Sequence, residues 1–374
     1  MMSSADASLR LAAEVHKKVR RDLRDQRVIR AGAKFVDIAD FIETSTKMHA
    51  SDIMASSSSS SEHNFTTING GIGFPVGISV NECAAHYHPS SMDDGILSIS
   101  DVVKIDFGTE INGWIIDSAF TERVSCDCDF TTISAKPNDK TKNNSNNLTK
   151  NINQNEIDEE RYEVLAKCMR ESTDTGIRNI GIDAPVLEWS QSVEEVMRSY
   201  DVYPISNLGG HNILHEVIHG NMFLPGRASS VRDSRERFVA GVYAIETFGA
   251  TDANLETDCE AREKGAGNIY RLNPGFMRYS AAQLAFQFHS PIFKIQSVQR
   301  LFSQIKTRFK TLPFAERYTN SCDRTPLALL VKHDVLYCYP PLCVERGVTA
   351  QFEHTIMLKD GGTPVTVFSR DDDY

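Results

Sequence analysis

No apolar run in this chain of 374 residues approaches the roughly 18 to 20 residues needed to cross a bilayer. Residues 1–21 also lack the uninterrupted apolar block of a secretory signal. Both absences predict a cytoplasmic protein with no membrane partner. Excess positive charge is lacking as well, since 40 Lys and Arg stand against 50 Asp and Glu, a net charge of −10 at pH 7. A broad nucleic-acid surface needs clustered cations to displace phosphate counterions, so no nucleic-acid partner is predicted. The one basic cluster, at 17–30, follows Ala12, Val15, Val19 and Leu23 at helical spacing and reads as a solvated helix face. Paired cysteines are scarce. Of eight, only Cys126 and Cys128 form a tight couple, and one couple cannot close a four-ligand zinc site. Reduced thiols are expected.

What is present is a globular composition, 41% hydrophobic and 24% charged, enough for a large core in one big domain or two smaller ones. Six consecutive serines predict a flexible tract at about 55–62. An Asn- and Lys-rich stretch has too little apolar surface to offset chain entropy and predicts disorder over about 135–157. Elsewhere helix and strand patterns mix. Trp189, Val193, Val196, Met197 and Tyr200 form one apolar stripe behind Pro185. Residues 102–107 and 114–124 read as strands around an Asn112-Gly113 turn. Residues 242–248 and 350–358 read as further strands, and 270–336 as mainly helical, broken by Pro274, Pro291 and Pro313.

The chemistry concentrates in that hairpin. Strand alternation turns Val103, Ile105 and Phe107 one way and Lys104 and Asp106 the other. A two-residue turn at 111–112 or 112–113 places Asp117 opposite or diagonal to Asp106, on one face either way. Two like charges so close repel unless a cation lies between them, although two solvated acids on an open sheet face give the same pattern. Further polar residues shift the balance. His211 and His219 sit in NLGGHNILHEVIHG, Glu246 interrupts VYAIETFG and Glu353 interrupts AQFEHTIML. Acids inside apolar strands need partners. Four carboxylates and one imidazole make a hard, oxygen-rich set whose charge balances two divalent ions of manganese, iron, cobalt or zinc.

At this point a resemblance becomes specific. NECAAHYHPS, KIDFGTEINGWIIDSAF, NLGGHNILHEVIHG, VYAIETFG, YPPLC and AQFEHTIML resemble, in order and spacing, the type 2 methionine aminopeptidases of the M24 peptidase family. The similarity runs from about residue 9 to the end, leaving out the Ser and Asn tracts and parts of 250–335. It implies an α/β (α+β) pita-bread fold, with two pseudo-symmetric halves around a curved antiparallel sheet. A single catalytic domain at 9–374 would then carry a helical insert at about 262–338, behind a short flexible N-terminus at 1–8.

The resemblance also implies roles, position by position. Asp106 chelates one metal, Asp117 and Glu353 bridge both, and His211 and Glu246 bind the other. Glu246 doubles as the proton shuttle. His219 contacts the scissile peptide, and His86 is the residue that fumagillin-type inhibitors alkylate. Phe74, Ile218, Phe248 and Tyr339 line the methionine pocket. The implied activity is removal of N-terminal methionine from nascent polypeptides when the second residue is small, by attack of a metal-bound hydroxide on the first peptide bond. Cys83 and Cys343 match positions that lie close together in the family, which makes them candidates for a labile disulfide, but a cytosolic setting predicts mostly thiols with partial oxidation in air.

Two departures stand out. The family has a further pocket histidine, yet no His occurs between His219 and His289, and His215 adds a ring that reads as a solvated loop residue. His88 and His354 read as structural. Few residues precede the first helix, where type 2 members often carry a charged extension linked to translation-factor binding, so ribosome association has no support in the sequence. Two alternatives share the fold. Non-catalytic relatives, growth-regulatory or RNA-associated, have lost metal ligands, whereas all five ligand types are present here. Proline-specific aminopeptidases keep the ligands, but NECAAH, YPPLC and the insert favour methionine removal.

Overall fold

The computed structural model describes residues 4–58, 69–125, 145–251, 259–361 and 364–370. The chain opens with α1 (Ser4–Asp25) and α2 (Phe35–Ser58). Leu9, Ala12, Val15, Val19 and Leu23 recur every three or four residues along α1, so one face is buried and Arg21 and Arg24 stay outside. That face packs on β3 (Val102–Ile111) and β4 (Trp114–Arg123) while α2 packs on β1 (Gly70–Val80); the three strands form a sheet of order β1-β3-β4, with β2 (Cys83–Ala85) leading between the first two. Val19, Ile38, Ile42, Ile78, Val103, Ile105 and Phe107 form the core of this half.

The hairpin behaves as its Asn-Gly pair requires. Asn112 and Gly113 take φ of 52° and 78°, the double positive that suits a tight turn to the twist of its strands. Ile111 therefore pairs with Trp114 and Asp106 with Ala119. Asp117 lies diagonal to Asp106, which settles the register the sequence left open.

A second half repeats the plan. α3 (Ser145–Asn179) and α4 (Val186–Ser199) precede β5 (Tyr203–Pro204), β6 (Gly209–Ile213), β7 (Phe223–Pro225) and β8 (Gly241–Ala250). The chain then runs through β9 (Arg262–Glu263), β10 (Ile269–Leu272), α5 (Ala281–Phe286), α6 (Gln296–Arg308), β11 (Phe314–Ala315), α7 (Arg324–Lys332), β12 (Leu336–Tyr339) and β13 (Leu342–Cys343). It returns in β14 (Thr349–Leu358) and β15 (Thr366–Val367). The main sheet here has order β15-β14-β8-β6-β7, and every pairing is antiparallel. α4 buries Val186, Trp189, Val193 and Met197 against it, while Val196 and Tyr200 of the expected stripe are half-buried.

Residues 269–339 gather a core of their own, from Leu272, Leu284, Phe293, Leu301, Phe302, Phe314 and Leu330, beside a small sheet of order β11-β10-β12. Helices and short 3₁₀ turns share this segment with those strands, so it is less purely helical than its sequence suggested. A polar knot ties it to the first half. Arg317 meets Asp40, Glu43 at 2.6 Å and His88 Nε2 at 3.0 Å, and the Tyr318 hydroxyl donates to Glu43 at 2.6 Å.

Three expectations need correction. Residues 4–8 were expected to be flexible but form the first turns of α1, because Asp6 is held by Arg10 at 3.0 Å and Lys359 at 2.8 Å while Ser8 is fully buried. The expected disorder at 135–157 ends at Ser145, where α3 begins; residues 135–144 lie outside the described ones. Helix propagates outward from the packed part of α3 at Leu165, Cys168 and Met169, adding a hydrogen bond for each residue fixed. The Ser tract is helical as far as Ser58, and 59–62 lie outside the described residues, as do Cys126 and Cys128.

Buried histidines give this fold an acid limit. His16 is fully buried, stacked on Phe107 at 4.0 Å, with its Nε2 on the Phe107 carbonyl at 3.1 Å. Burial first, then Arg20, lowers its pKa to about 3. The unfolded chain binds a proton on this residue below about 6.5 and the folded chain does not, so stability falls as pH drops through that window. Replacing His16 by Gln keeps a donor near the Nε2 position and removes the titration. Urea unfolding at pH 7 and pH 5 should show a loss about 2 kcal/mol smaller in the variant than in the parent; equal losses would assign the acid sensitivity elsewhere.

Candidate metal centre

The two halves meet where β4 runs beside β14, and side-chain hydroxyls stitch that seam. The Thr355 hydroxyl accepts from the Asp117 amide at 2.7 Å and donates to the Asp117 carbonyl at 2.6 Å. Thr121 makes the same two bonds to Gln351, at 2.9 and 2.7 Å, and Ser118 donates to the Glu353 carbonyl at 2.8 Å. Pairing across β14 and β8 sets Glu353 directly opposite Glu246, and pairing of β6 with β8 sets His211 opposite Ala244, two residues from Glu246 on the same face.

Five side chains converge as a result. His211 Nε2 lies 3.4 Å from Asp117 Oδ2 and 3.6 Å from Glu246 Oε1. Asp117, His211 and Glu353 each present a ligand atom within 4.8 Å of the others. Asp106 joins through Gln351, whose amide donates to Asp106 Oδ2 at 3.4 Å and to Glu246 Oε2 at 3.1 Å. Asp117, His211, Glu246 and Glu353 are all buried. Burial, followed by the neighbouring charge of Asp117, raises the proton affinities of Asp106, Glu246 and Glu353 well above the usual carboxylate range.

These residues fit a divalent cation on a direct observation. Asp106 Oδ1 and both oxygens of Glu353 are buried without any hydrogen-bond donor. Ionised carboxylates only accept, so in that state they need a cation. Oxygen donors with one imidazole suit manganese, iron, cobalt or zinc.

In front of the acids lies a cavity of about 290 Å³. Phe74, His86, Asp106, Asp117, His211, Ile218, His219, Glu246, Phe248 and Tyr339 all line it, and Glu353 lies behind them at 1% exposure. His219 stands edge-on to His211, with ring centroids 4.4 Å apart, and its Nδ1 is 3.4 Å from the Tyr339 hydroxyl. His86 crosses the Tyr339 ring edge-on at 5.5 Å with φ of 67°, a backbone region that costs a non-glycine residue energy. Burial lowers the pKa of His86 to about 4. Burial and then His211 hold His219 well below the usual imidazole range. Both rings are therefore neutral near pH 7 and can each donate one hydrogen bond and accept another.

Every residue the sequence nominated for the site is thus in one place. His215 is not among them; it is exposed and bonds the Asn112 carbonyl at 2.8 Å. His88 and His354 are buried structural residues, on the Val76 carbonyl at 2.8 Å and the Ser369 hydroxyl at 2.9 Å. Cys83 stands opposite Cys343 in the β2–β13 pair, both as free thiols. The sequence reading passed over Gln351, although a strand period of two places it on the face of Glu353. It also passed over Ile269 and Pro313, which with Tyr339 form the wall supplied by residues 269–339. No local pattern marks those two.

Metal loss and charge relief should pull in opposite directions at Glu353. In metal-free protein, Glu353→Gln removes a buried like charge, and its melting temperature should equal or exceed the parent's. Added manganese or cobalt should raise the parent's melting temperature by several degrees and the variant's little. Elemental analysis should find the variant short of metal; full occupancy with normal metal stabilisation would remove Glu353 from the ligand set.

The chain has relatives that share this arrangement of elements. Residues 7–248 match the model of metallopeptidase family M24, a span that holds Asp106, Asp117, His211 and Glu246 but not Glu353. Methionine aminopeptidase 2 of Komagataella phaffii is 32% identical over 98% of this chain and 70% of its own length. The protein of the same name from Laccaria bicolor is 34% identical over 98% and 87%. Among solved structures, that of a thermophilic Arx1 has a TM-score of 0.73 at 14% identity, covering 100% of this chain and 92% of its own. A methionine aminopeptidase from Thermotoga maritima has a TM-score of 0.56 at 14% identity, covering 99% and 98%. These structural likenesses bear on the fold alone. The family match and the sequence identities place this chain in metallopeptidase family M24.

Proposed function

We infer that this chain is a methionyl aminopeptidase, a hydrolase that removes N-terminal methionine from nascent polypeptides whose second residue is small. One observation carries the reading. Asp106, Asp117, His211 and Glu246 line one side of a small cavity, with Glu353 buried behind them, and apolar and aromatic side chains form much of the rest of its wall. The names of the relatives agree with it. Asp106, Asp117, His211, Glu246 and Glu353 would hold two divalent ions. When bound, such ions supply Lewis acidity, polarising the scissile carbonyl and making water nucleophilic at neutral pH.

The remaining work falls to the chain's own groups. Phe74, Ile218, Phe248 and Tyr339 surround an unbranched apolar side chain, and methionine, flexible and polarisable, fills such a space well. Neutral His219 and His86 offer hydrogen bonds to the peptide without adding charge beside the acids. Glu246 accepts a proton from the attacking water and returns it to the departing amine. Gln351 orients that carboxylate through its 3.1 Å bond. No broad channel is needed, because cleavage at the first peptide bond leaves one side chain in the pocket.

The decisive measurement is kcat/KM across a Met-Xaa peptide series, a matched Leu-Xaa series and Xaa-Pro peptides, with and without added cobalt or manganese. Met before Gly, Ala, Ser, Cys, Thr, Val or Pro should be cleaved efficiently and Met before Lys, Leu or Phe hardly at all. Replacing His219 by Ala should cost about 100-fold in turnover while metal content stays near the parent's. Equal removal of Leu and Met would sink methionine specificity, and no turnover under any condition would favour a non-catalytic role.

A further inference from the structure

One cation stands beside the cavity without a counter-charge. Strands β10 and β12 pair Ile269 with Tyr339 and Arg271 with Tyr337, and side chains two apart on a strand share a face. Tyr270, Leu272, Leu336 and Cys338 turn to the core of residues 269–339. Ile269, Arg271, Tyr337 and Tyr339 therefore face the other way, and Ile269 and Tyr339 line the cavity. Arg271 stands one strand repeat beyond Ile269, about 7 Å further along. Its neighbour Tyr337, 44% exposed, marks where that face reaches solvent.

Arg271 is half-buried and short of partners. Its guanidinium lies 5.3 Å over the Tyr337 ring, but Nε is buried with no acceptor, and no carboxylate pairs with it among the described residues. The charge still reaches the cavity. After burial, His211 and His86, it is the further cause that keeps His219 neutral, and it opposes the rise in proton affinity that burial gives Tyr339. With two divalent ions balancing the four carboxylates, the guanidinium has no counterpart. A partly desolvated guanidinium with an unused donor suits a carboxylate, which takes both its charge and its planar fork of N–H groups.

We propose that Arg271 selects substrates that carry an acidic side chain at the third or fourth residue, by pairing with its carboxylate. This rests on the aminopeptidase reading and deepens it. With methionine in the pocket, an extended chain advances about 3.3 Å per residue, so the third residue lies roughly 7 Å beyond the first. That is the interval that separates Arg271 from Ile269 on β10, and the length of the arginine side chain covers the fourth residue as well. The C-terminal carboxylate of a short peptide offers the same chemistry, and amidation separates the two sources.

The test uses the whole chain with added manganese or cobalt and the amidated peptides Met-Ala-Xaa-Gly-Gly and Met-Ala-Gly-Xaa-Gly, where Xaa is Glu, Gln or Lys. At one of the two positions kcat/KM for Glu should exceed that for Gln by about fivefold, and Lys should fall below Gln. The difference should lie in KM, because a contact remote from the reacting bond is made equally in the bound substrate and the transition state. Raising salt from about 0.05 to about 0.5 M should shrink it. Arg271→Gln should bring the Glu-to-Gln ratio to about one, Arg271→Glu should invert it in favour of Lys, and Arg271→Lys, which keeps the charge without the fork, should retain part of it. Inversion in Arg271→Glu is a gain that a misfolded variant could not show. Equal kcat/KM for Glu, Gln and Lys in the parent overturns the proposal, as does a Glu preference that survives Arg271→Gln and Arg271→Glu. So does a preference confined to peptides with a free C-terminal carboxylate. Turnover without any charge preference would sink this proposal alone, whereas no turnover of any peptide would sink the aminopeptidase reading with it.

Discussion

Four carboxylates at the contact of two sheets would drive those sheets apart, and the rest of the structure depends on the seam that prevents it. Ser118, Thr121 and Thr355 cross from β4 to β14 with hydroxyls that donate or both accept and donate, doing for two sheets what ladder bonds do within one. Such short bonds fix Asp117 against Glu353, and burial leaves their repulsion less screened than it would be in water. The first half brings Asp106 and Asp117, the second His211, Glu246 and Glu353. Neither half holds the site alone.

Burial has a second consequence in front of the acids. Where water is scarce, charge is costly, so carboxylates bind protons or cations more readily and His86 and His219 stay neutral. Chemistry and specificity are divided accordingly: the two sheets hold the acids, while the far wall of Ile269, Pro313 and Tyr339 comes from a segment with its own core. That wall stands where it does because Arg317 and Tyr318 lock the segment onto Asp40 and Glu43 of α2.

The global net charge averages over unlike parts of this molecule. A value of −10 is the sum over an acidic body and a strongly basic segment, and electrostatic recognition responds to the local field within a Debye length rather than to the total. The missing pocket histidine has a comparable lesson. Its absence was plain in the chain, but the apolar character of the wall, with Ile269 and Pro313 beside Tyr339, appeared only once β10 and β12 were paired.

By itself the sequence determined whatever depends on short-range periodicity. Alternation placed Asp106 on the polar face of its strand, Asn112-Gly113 set the hairpin that brings Asp117 beside it, and the spacing of Trp189, Val193 and Met197 oriented α4. The order of motifs nominated all five ligands. Only the tertiary structure decided how those motifs meet. Glu353 reaches Asp117 across a seam between residues more than 200 positions apart in the chain, and Gln351 spans Asp106 and Glu246. Residues 4–8 are ordered because Lys359, from the far end of the chain, holds Asp6. Contacts of that kind leave no trace in local composition, because their free energy comes from burial and pairing that exist only when distant strands are side by side.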